Sequence, residues 1–161
     1  MAHAFAHEPV MVHEVVDLFA PVPRGVVVDG TAGAGGHAAA VLAAHEHLRV
    51  LALDRDPDAV DAARARLAPF AGRAVVRRAE FARLEDEVAA EAGDPTFFRA
   101  GDAALSGVLL DLGVSSPQLE RAARGFSYRN SGALDMRMDP SSGPSAADVV
   151  NGADVAELAA L

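Results

Sequence analysis

The stretch Val26-Val27-Val28-Asp29-Gly30-Thr31-Ala32-Gly33-Ala34-Gly35-Gly36-His37, with Leu51-Ala52-Leu53-Asp54 after it, decides the fold. It sets an apolar strand ending in a carboxylate, then a glycine-rich turn, then a second strand ending in a carboxylate. Gly33, Gly35 and Gly36 permit backbone angles closed to other residues and let the main chain approach a ligand with no Cβ in the way. The alanine-rich segment that follows, residues 37–44, favours helix. Asp54 lies 21 positions after Gly33, and an acid at the end of the second strand of a βαβ unit accepts hydrogen bonds from the two hydroxyls of a ribose. Together these elements predict half of a pocket for an adenosine-type cofactor.

Three cofactor classes use such a turn. A nucleoside triphosphate loop needs Gly-x-x-x-x-Gly-Lys-Ser/Thr, and this chain contains no lysine. A dinucleotide is harder to set aside, because Gly33-Ala34-Gly35-Gly36-His37-Ala38 fits G-x-G-x-x-G/A with an acid at the right distance. Asp29 favours a third class. A carboxylate just before the turn would repel a pyrophosphate, whereas it suits the cationic amino and sulfonium end of S-adenosylmethionine. An NAD-dependent oxidoreductase stays open as the alternative, and so does a binding module without catalysis. Taken singly, each glycine is equally a tight turn and each acid a helix cap, as Asp56-Pro57 illustrates. Their joint spacing carries the reading.

At 161 residues and 51% hydrophobic, the chain suits one sizeable core and is short for two ordinary domains. There is no cysteine, hence no disulfide or thiolate metal site. The first residues lack the basic start and apolar stretch of a secretion signal, and no run reaches membrane-spanning length. A cytoplasmic protein with no membrane partner is expected. The pair His7 and His13 is six apart with Pro9 between, unlike H-E-x-x-H, so no metal site is expected. Ser115 and Ser116 are not in a G-x-S-x-G setting. The net charge of -9 speaks against a nucleic-acid partner, but residues 121–137 reverse it locally. They hold Arg121, Arg124, Arg129 and Arg137 against Asp135, which is 4 minus 1, or +3.

Apolar periodicity predicts a leading helix over 10–20, strands over 26–29 and 49–54, and helices over 36–44 and 57–67, the last with Val60, Ala63 and Leu67 facing the sheet. A third strand is expected over 74–79, an acidic helix over 84–92, and a fourth strand over 105–112. Val108, Leu109, Leu110 and Leu112 imply that this last strand is buried on both faces. Alternating strand and helix means an α/β fold with a parallel sheet. Residues 1–112 are thus expected to form the cofactor-binding domain and 113–144 a mostly irregular, functional loop. Residues 145–161 open a helical segment, starting with a capping box at Ser145 and Asp148. Four strands are few for such a fold, which predicts the front part of a larger enzyme.

At Leu109-Leu110-Asp111-Leu112-Gly113-Val114-Ser115-Ser116-Pro117-Gln118-Leu119 the chain closely resembles a known family, the bacterial ribosomal RNA small-subunit methyltransferase H family, also called MraW. Arg124-Gly125-Phe126-Ser127-Tyr128, Leu134-Asp135-Met136-Arg137-Met138-Asp139 and the glycine stretch itself share the resemblance, which runs from about His7 to Leu161. It implies a Rossmann-like class I methyltransferase fold, S-adenosylmethionine as cofactor, and methylation of the exocyclic N4 of a cytidine in the decoding region of small-subunit rRNA. The partner it implies is the 30S subunit. By position, it matches Gly35, Gly36 and His37 to the donor-contacting turn, Asp54 to the ribose acid, and Phe81 to the aromatic beside the adenine. Asp111 and Gln118 match the donor contacts after the fourth strand, while Asp29 and Gly33 come from the physical reading above. The family's helical insertion follows the fourth strand, and this chain is expected to end inside it. Cytidine N4 is a poor nucleophile, since its lone pair is delocalised into the ring. An acceptor bonded to its N–H helps localise that pair and receives the proton. Asp111 is the candidate for that role, with cofactor binding as its other reading.

Overall fold

The computed structural model describes residues 9–160; residues 1–8, which include His7 of the His7 and His13 pair, and Leu161 lie outside the described residues. The described residues fall into two compact units that divide between Leu112 and Gly113.

In the first unit four parallel strands pair in the order β3-β2-β1-β4, with β1 at Gly25–Asp29, β2 at Leu48–Asp54, β3 at Ala74–Arg78 and β4 at Ala103–Leu109. Chain order reverses between β1 and β4, and at such a switch point the connections leave to opposite sides and open a crevice beyond the carboxyl ends of the strands. The helices are α1 (Val12–Phe19), α2 (Gly36–Ala44), α3 (Pro57–Leu67) and α4 (Leu84–Glu91). Both faces of the central strands are covered, which is why they read as unbroken apolar runs. Val27, Leu48, Val50 and Ala52 pack with Phe19 of α1, Ala38, Val41 and Leu42 of α2 and Leu67 of α3. Val26, Val28, Leu51 and Leu53 pack on the other face with Ala79 and Phe97, beside Leu84 and Val88 of α4. Each such valine or leucine stabilises the fold by roughly 1.5–3 kcal/mol.

Local chemistry sets the helix ends. The Asp56 side chain accepts from the Asp58 N–H, and Pro57 occupies the first turn of α3, where a missing N–H costs nothing. Val60, Ala63 and Leu67 are buried as the spacing predicts. The leading helix starts at Val12 rather than at residue 10, because Met11 takes a left-handed conformation with φ of 56° that interrupts the helix.

One expectation about burial fails. β4 ends at Leu109, and Val108, Leu110 and Leu112 are 43%, 46% and 68% exposed. The reason is position. β4 is the last strand in the sheet order, so one edge has no pairing strand among the described residues. Apolar composition alone does not distinguish an edge strand from a central one.

The second unit holds α5 (Ser116–Glu120), a 3-10 turn at Ala122–Arg124, α6 (Ala146–Gly152) and α7 (Val155–Ala160). α5 falls inside the stretch expected to be mostly irregular. Its start is fixed by the Gln118 Oε1, which accepts from the Ser115 N–H at 2.9 Å, with Pro117 in the first turn. The capping box at Ser145 is present: Asp148 Oδ2 accepts from the Ser145 N–H at 2.9 Å, and the Ser145 Oγ accepts from the Asp148 N–H at 3.2 Å. Arg124 ties the loop together by donating to the carbonyls of Arg137 and Met138 at 3.1 and 2.9 Å. Arg137 donates to both oxygens of Asp135, whose carboxyl this guanidinium holds down to about 2. Two of the four arginines in the basic stretch are therefore fasteners of the loop rather than free surface charge.

Candidate functional site

The glycine turn is laced to strands on both sides. Toward β2, the Ala32 N–H donates to the Leu53 carbonyl at 2.9 Å and the Gly33 N–H to Asp54 Oδ2 at 2.8 Å. Toward β4, the Gly30 N–H donates to the Leu109 carbonyl at 2.9 Å, and Thr31 Oγ1 accepts from the Asp111 N–H at 2.7 Å. Asp29, at the end of β1, registers with Ala52 of β2 and Leu109 of β4. Asp54 and Asp111 each lie two residues beyond those partners, so three carboxylates gather where chain order reverses.

Their surroundings differ. Asp29 is 2% exposed; its Oδ1 accepts from the Thr31 N–H at 3.2 Å, and its Oδ2 is buried without a partner among the described residues. Burial pushes the Asp29 carboxyl up to about 7, and the nearby charges of Asp54 and Asp111 add to the rise against the opposing effects of the Thr31 N–H and His37. Asp54 is also raised, again chiefly by burial, although its two oxygens accept from the Gly33 and Asp56 N–H groups. A carboxylate offers about four lone-pair positions, so acceptor capacity remains at Asp54. Asp111 is exposed.

The glycines divide into distinct roles. Gly33 has φ of 51°, and a Cβ there would meet nothing within 4 Å, so its backbone faces open space. Gly35 has φ of 76° and a Cβ would stand 3.3 Å from Ala63 Cα, where the start of α2 rests on α3. At Gly36 a Cβ would stand 2.4 Å from Pro9 Cγ. Gly35 and Gly36 thus have packing reasons to be glycine. At Gly30, which the sequence reading did not single out, a Cβ would stand 2.7 Å from Leu110 Cδ2 and 3.0 Å from Phe81 Cβ. Phe81 therefore backs onto the turn and leaves about half of its surface open.

His37 is buried, with its Nε2 2.9 Å from the Val10 carbonyl, so its side chain fastens the leading segment. What it and Gly36 offer a ligand is their first-turn amides, which have no acceptor within α2. Gln118 lies in the second unit, buried, with its Oε1 capping α5 and its Nε2 donating to Met138 Sδ at 3.3 Å. Both ends of that amide are used within its own unit. The structure thus brings together Asp29, Gly33, Gly35, Gly36, His37, Asp54, Phe81 and Asp111 in one unit. It adds Thr31, whose only sequence signal was a hydroxyl between the strand-end acid and the glycines.

The chain is similar to curated proteins along nearly all of its length. Ribosomal RNA small subunit methyltransferase H of Beutenbergia cavernae is 46% identical over 158 residues, covering 96% of this chain and 45% of its own length. The protein of the same name from Rhizobium etli is 47% identical over 152 residues, covering 94% and 40%. The chain thus spans a little under half the length of these curated relatives. Among solved structures, an rRNA methylase from Streptococcus thermophilus aligns with a TM-score of 0.41 and 23% identity over 50% of this chain and 49% of that one. The profile of the MraW methylase family matches residues 4–161. Matched by that profile along nearly the whole sequence, the chain belongs to the MraW methylase family.

Proposed function

We propose that the protein uses S-adenosylmethionine to methylate the exocyclic N4 of a cytidine in the decoding region of small-subunit rRNA. The observation that carries the cofactor is the Asp29 Oδ2, buried and without a partner among the described residues. A carboxylate oxygen stripped of water and of a hydrogen-bond donor is costly, and a cation brought against it recovers the loss. The pyrophosphate of a dinucleotide would do the opposite. Gly33 faces open space beside Asp54, which suits a ribose whose hydroxyls donate to the remaining lone pairs of that carboxylate. Phe81, half-open against Gly30, offers a face to an adenine ring. The rRNA substrate follows from the relatives' names, and the cytidine N4 from the resemblance of the motifs.

The bound donor supplies a methyl group already activated on sulfur, so the chain's own task is alignment and removal of water. Asp29 and Asp54 would hold the carrier, Asp29 facing its cationic end and Asp54 its ribose hydroxyls. Asp111 stands at the crevice mouth with its backbone pinned by Thr31, where its carboxylate can accept from the N4–H and take the proton as the new N–C bond forms. A base in folded RNA must leave its stack to reach such a crevice. An rRNA substrate also makes the cytoplasm the site of action, and among the described residues no helix is long and apolar enough to cross a membrane.

The test is nucleoside mass spectrometry of small ribosomal subunits lacking the modification, after incubation with the intact protein and S-adenosylmethionine. N4-methylcytidine is expected. A different methylated base contradicts the assignment, and a melting temperature raised by NAD rather than by the methyl donor contradicts the cofactor.

A further inference from the structure

Tyr128 is 90% exposed, the highest value among the large apolar side chains of the described residues. It does not stand on a loose end. The Ser127 Oγ accepts from the N–H groups of Arg129 and Asn130 at 3.3 and 3.2 Å, which fixes the turn around it. Below, the loop is pinned shut. The Met136 N–H donates to the Arg124 carbonyl at 3.0 Å, and Arg124 donates to the Arg137 and Met138 carbonyls. Gly125 and Gly132 are pressed so close to the backbones of Ala133 and Ala122 that neither could carry a Cβ. A built turn thus holds an aromatic ring in water, where it contributes nothing to burial.

The surroundings indicate what the ring meets. Leu110 and Leu112 are also exposed, but they stand on either side of Asp111 and so belong to the site already described. Tyr128 is flanked by Ser127, Arg129, Asn130 and Ser131. The Arg129 guanidinium lies 5.5 Å from the ring centroid, while Arg124 and Arg137 are committed to the loop itself. A ring with a cation beside it and hydrogen-bonding groups around it suits a nucleobase, whose π-face stacks and whose phosphate seeks the guanidinium.

We propose that Tyr128 and Arg129 form a stacking platform for an unpaired base of the RNA substrate, the ring taking the base and the guanidinium an adjacent phosphate. This rests on the rRNA reading above and assigns it a contact surface in the second unit.

The sequence supplies its own probe, since Tyr128 is the only tyrosine and there is no tryptophan. Titration of the chain with a short single-stranded RNA should quench tyrosine emission, and the duplexed form of that RNA should quench little. With a fluorescein-labelled copy read by anisotropy, Tyr128→Ala should weaken binding by about tenfold, and Tyr128→Phe should bind like the parent. Arg129→Ala should lower the slope of log affinity against log salt by about 0.7. RNA binding with no quenching, or with Tyr128→Ala unchanged, overturns the platform while leaving the methyltransferase reading intact. No RNA binding by a chain that still binds S-adenosylmethionine also overturns it. A chain that binds neither counts against the reading beneath it as well. Because the side chain is exposed, neither substitution at Tyr128 should move the melting temperature.

Discussion

Thr31 Oγ1 accepts from the Asp111 backbone N–H at 2.7 Å, so one hydroxyl ties the turn after β1 to the segment after β4. The Thr31 backbone N–H holds Asp29 at the same time. A single residue thereby fixes the spacing of the buried acid and the exposed one.

Thr31→Val keeps the shape and removes the acceptor. A hydrogen bond of this kind contributes about 0.5–1.5 kcal/mol net, so urea denaturation should register a loss in that range, and Thr31→Ser should recover most of it. Donor affinity should fall only in the valine variant, since the serine variant still pins Asp111.

Asp29 makes the stability of the free protein depend on pH. Its carboxyl is raised from 3.8 to about 7 on folding. The stability it contributes is fully present below pH about 4 and is lost as pH rises toward 7, because the unfolded chain ionises first. The shift corresponds to a loss on the order of 4 kcal/mol above pH 7. Asp29→Asn, which cannot ionise, should therefore be more stable than the parent in urea at about pH 8 and lose that advantage at about pH 4.

The same proton links to binding. A cation against Asp29 favours the carboxylate, so S-adenosylmethionine should release a proton as it binds below pH 7. Affinity should rise with pH by up to about tenfold per unit toward 7 and then level off. Calorimetry in two buffers of different ionisation heat measures the proton directly. Proton uptake, or a flat profile, counts against Asp29 as the cation's partner.

At the opposite end of the sheet, Arg49 of β2 and Asp102 before β4 form a buried ion pair. Asp102→Ala leaves the guanidinium without its charge partner, which should cost about 3–5 kcal/mol. A thermal melt detects it. Arg49 lies at the amino-terminal half of β2, away from the acids at the strand ends, so residual folded protein should bind the donor normally.

Much of this architecture was legible in the sequence. The apolar runs ending in Asp29 and Asp54, the Asp56-Pro57 cap and the Val60, Ala63, Leu67 spacing report local physics, and the strands and helices form where they point. Burial of β4 was not legible, because an apolar strand reads alike at the centre and the edge of a sheet. α5 was missed because Pro117 reads as a breaker until Ser115 and Gln118 are read as its cap. The arginines of residues 121–137 read as a local excess of positive charge; the pairing of Arg137 with Asp135 and of Arg124 with distant carbonyls depends on how the loop closes. At the turn, spacing brought Gly33 and Asp54 together. It could not separate Gly33, which faces open space, from Gly35 and Gly36, which are glycine for packing, nor single out Thr31.

The central claim is that the acid-tipped strands flanking the turn hold a cationic methyl carrier. Calorimetric titration of the chain with S-adenosylmethionine near pH 8, beside Asp54→Ala checked for an intact fold, tests it most directly. The account predicts saturable binding by the parent and its loss in the variant. Absence of binding by a folded parent chain, or equal affinity in Asp54→Ala, would contradict it.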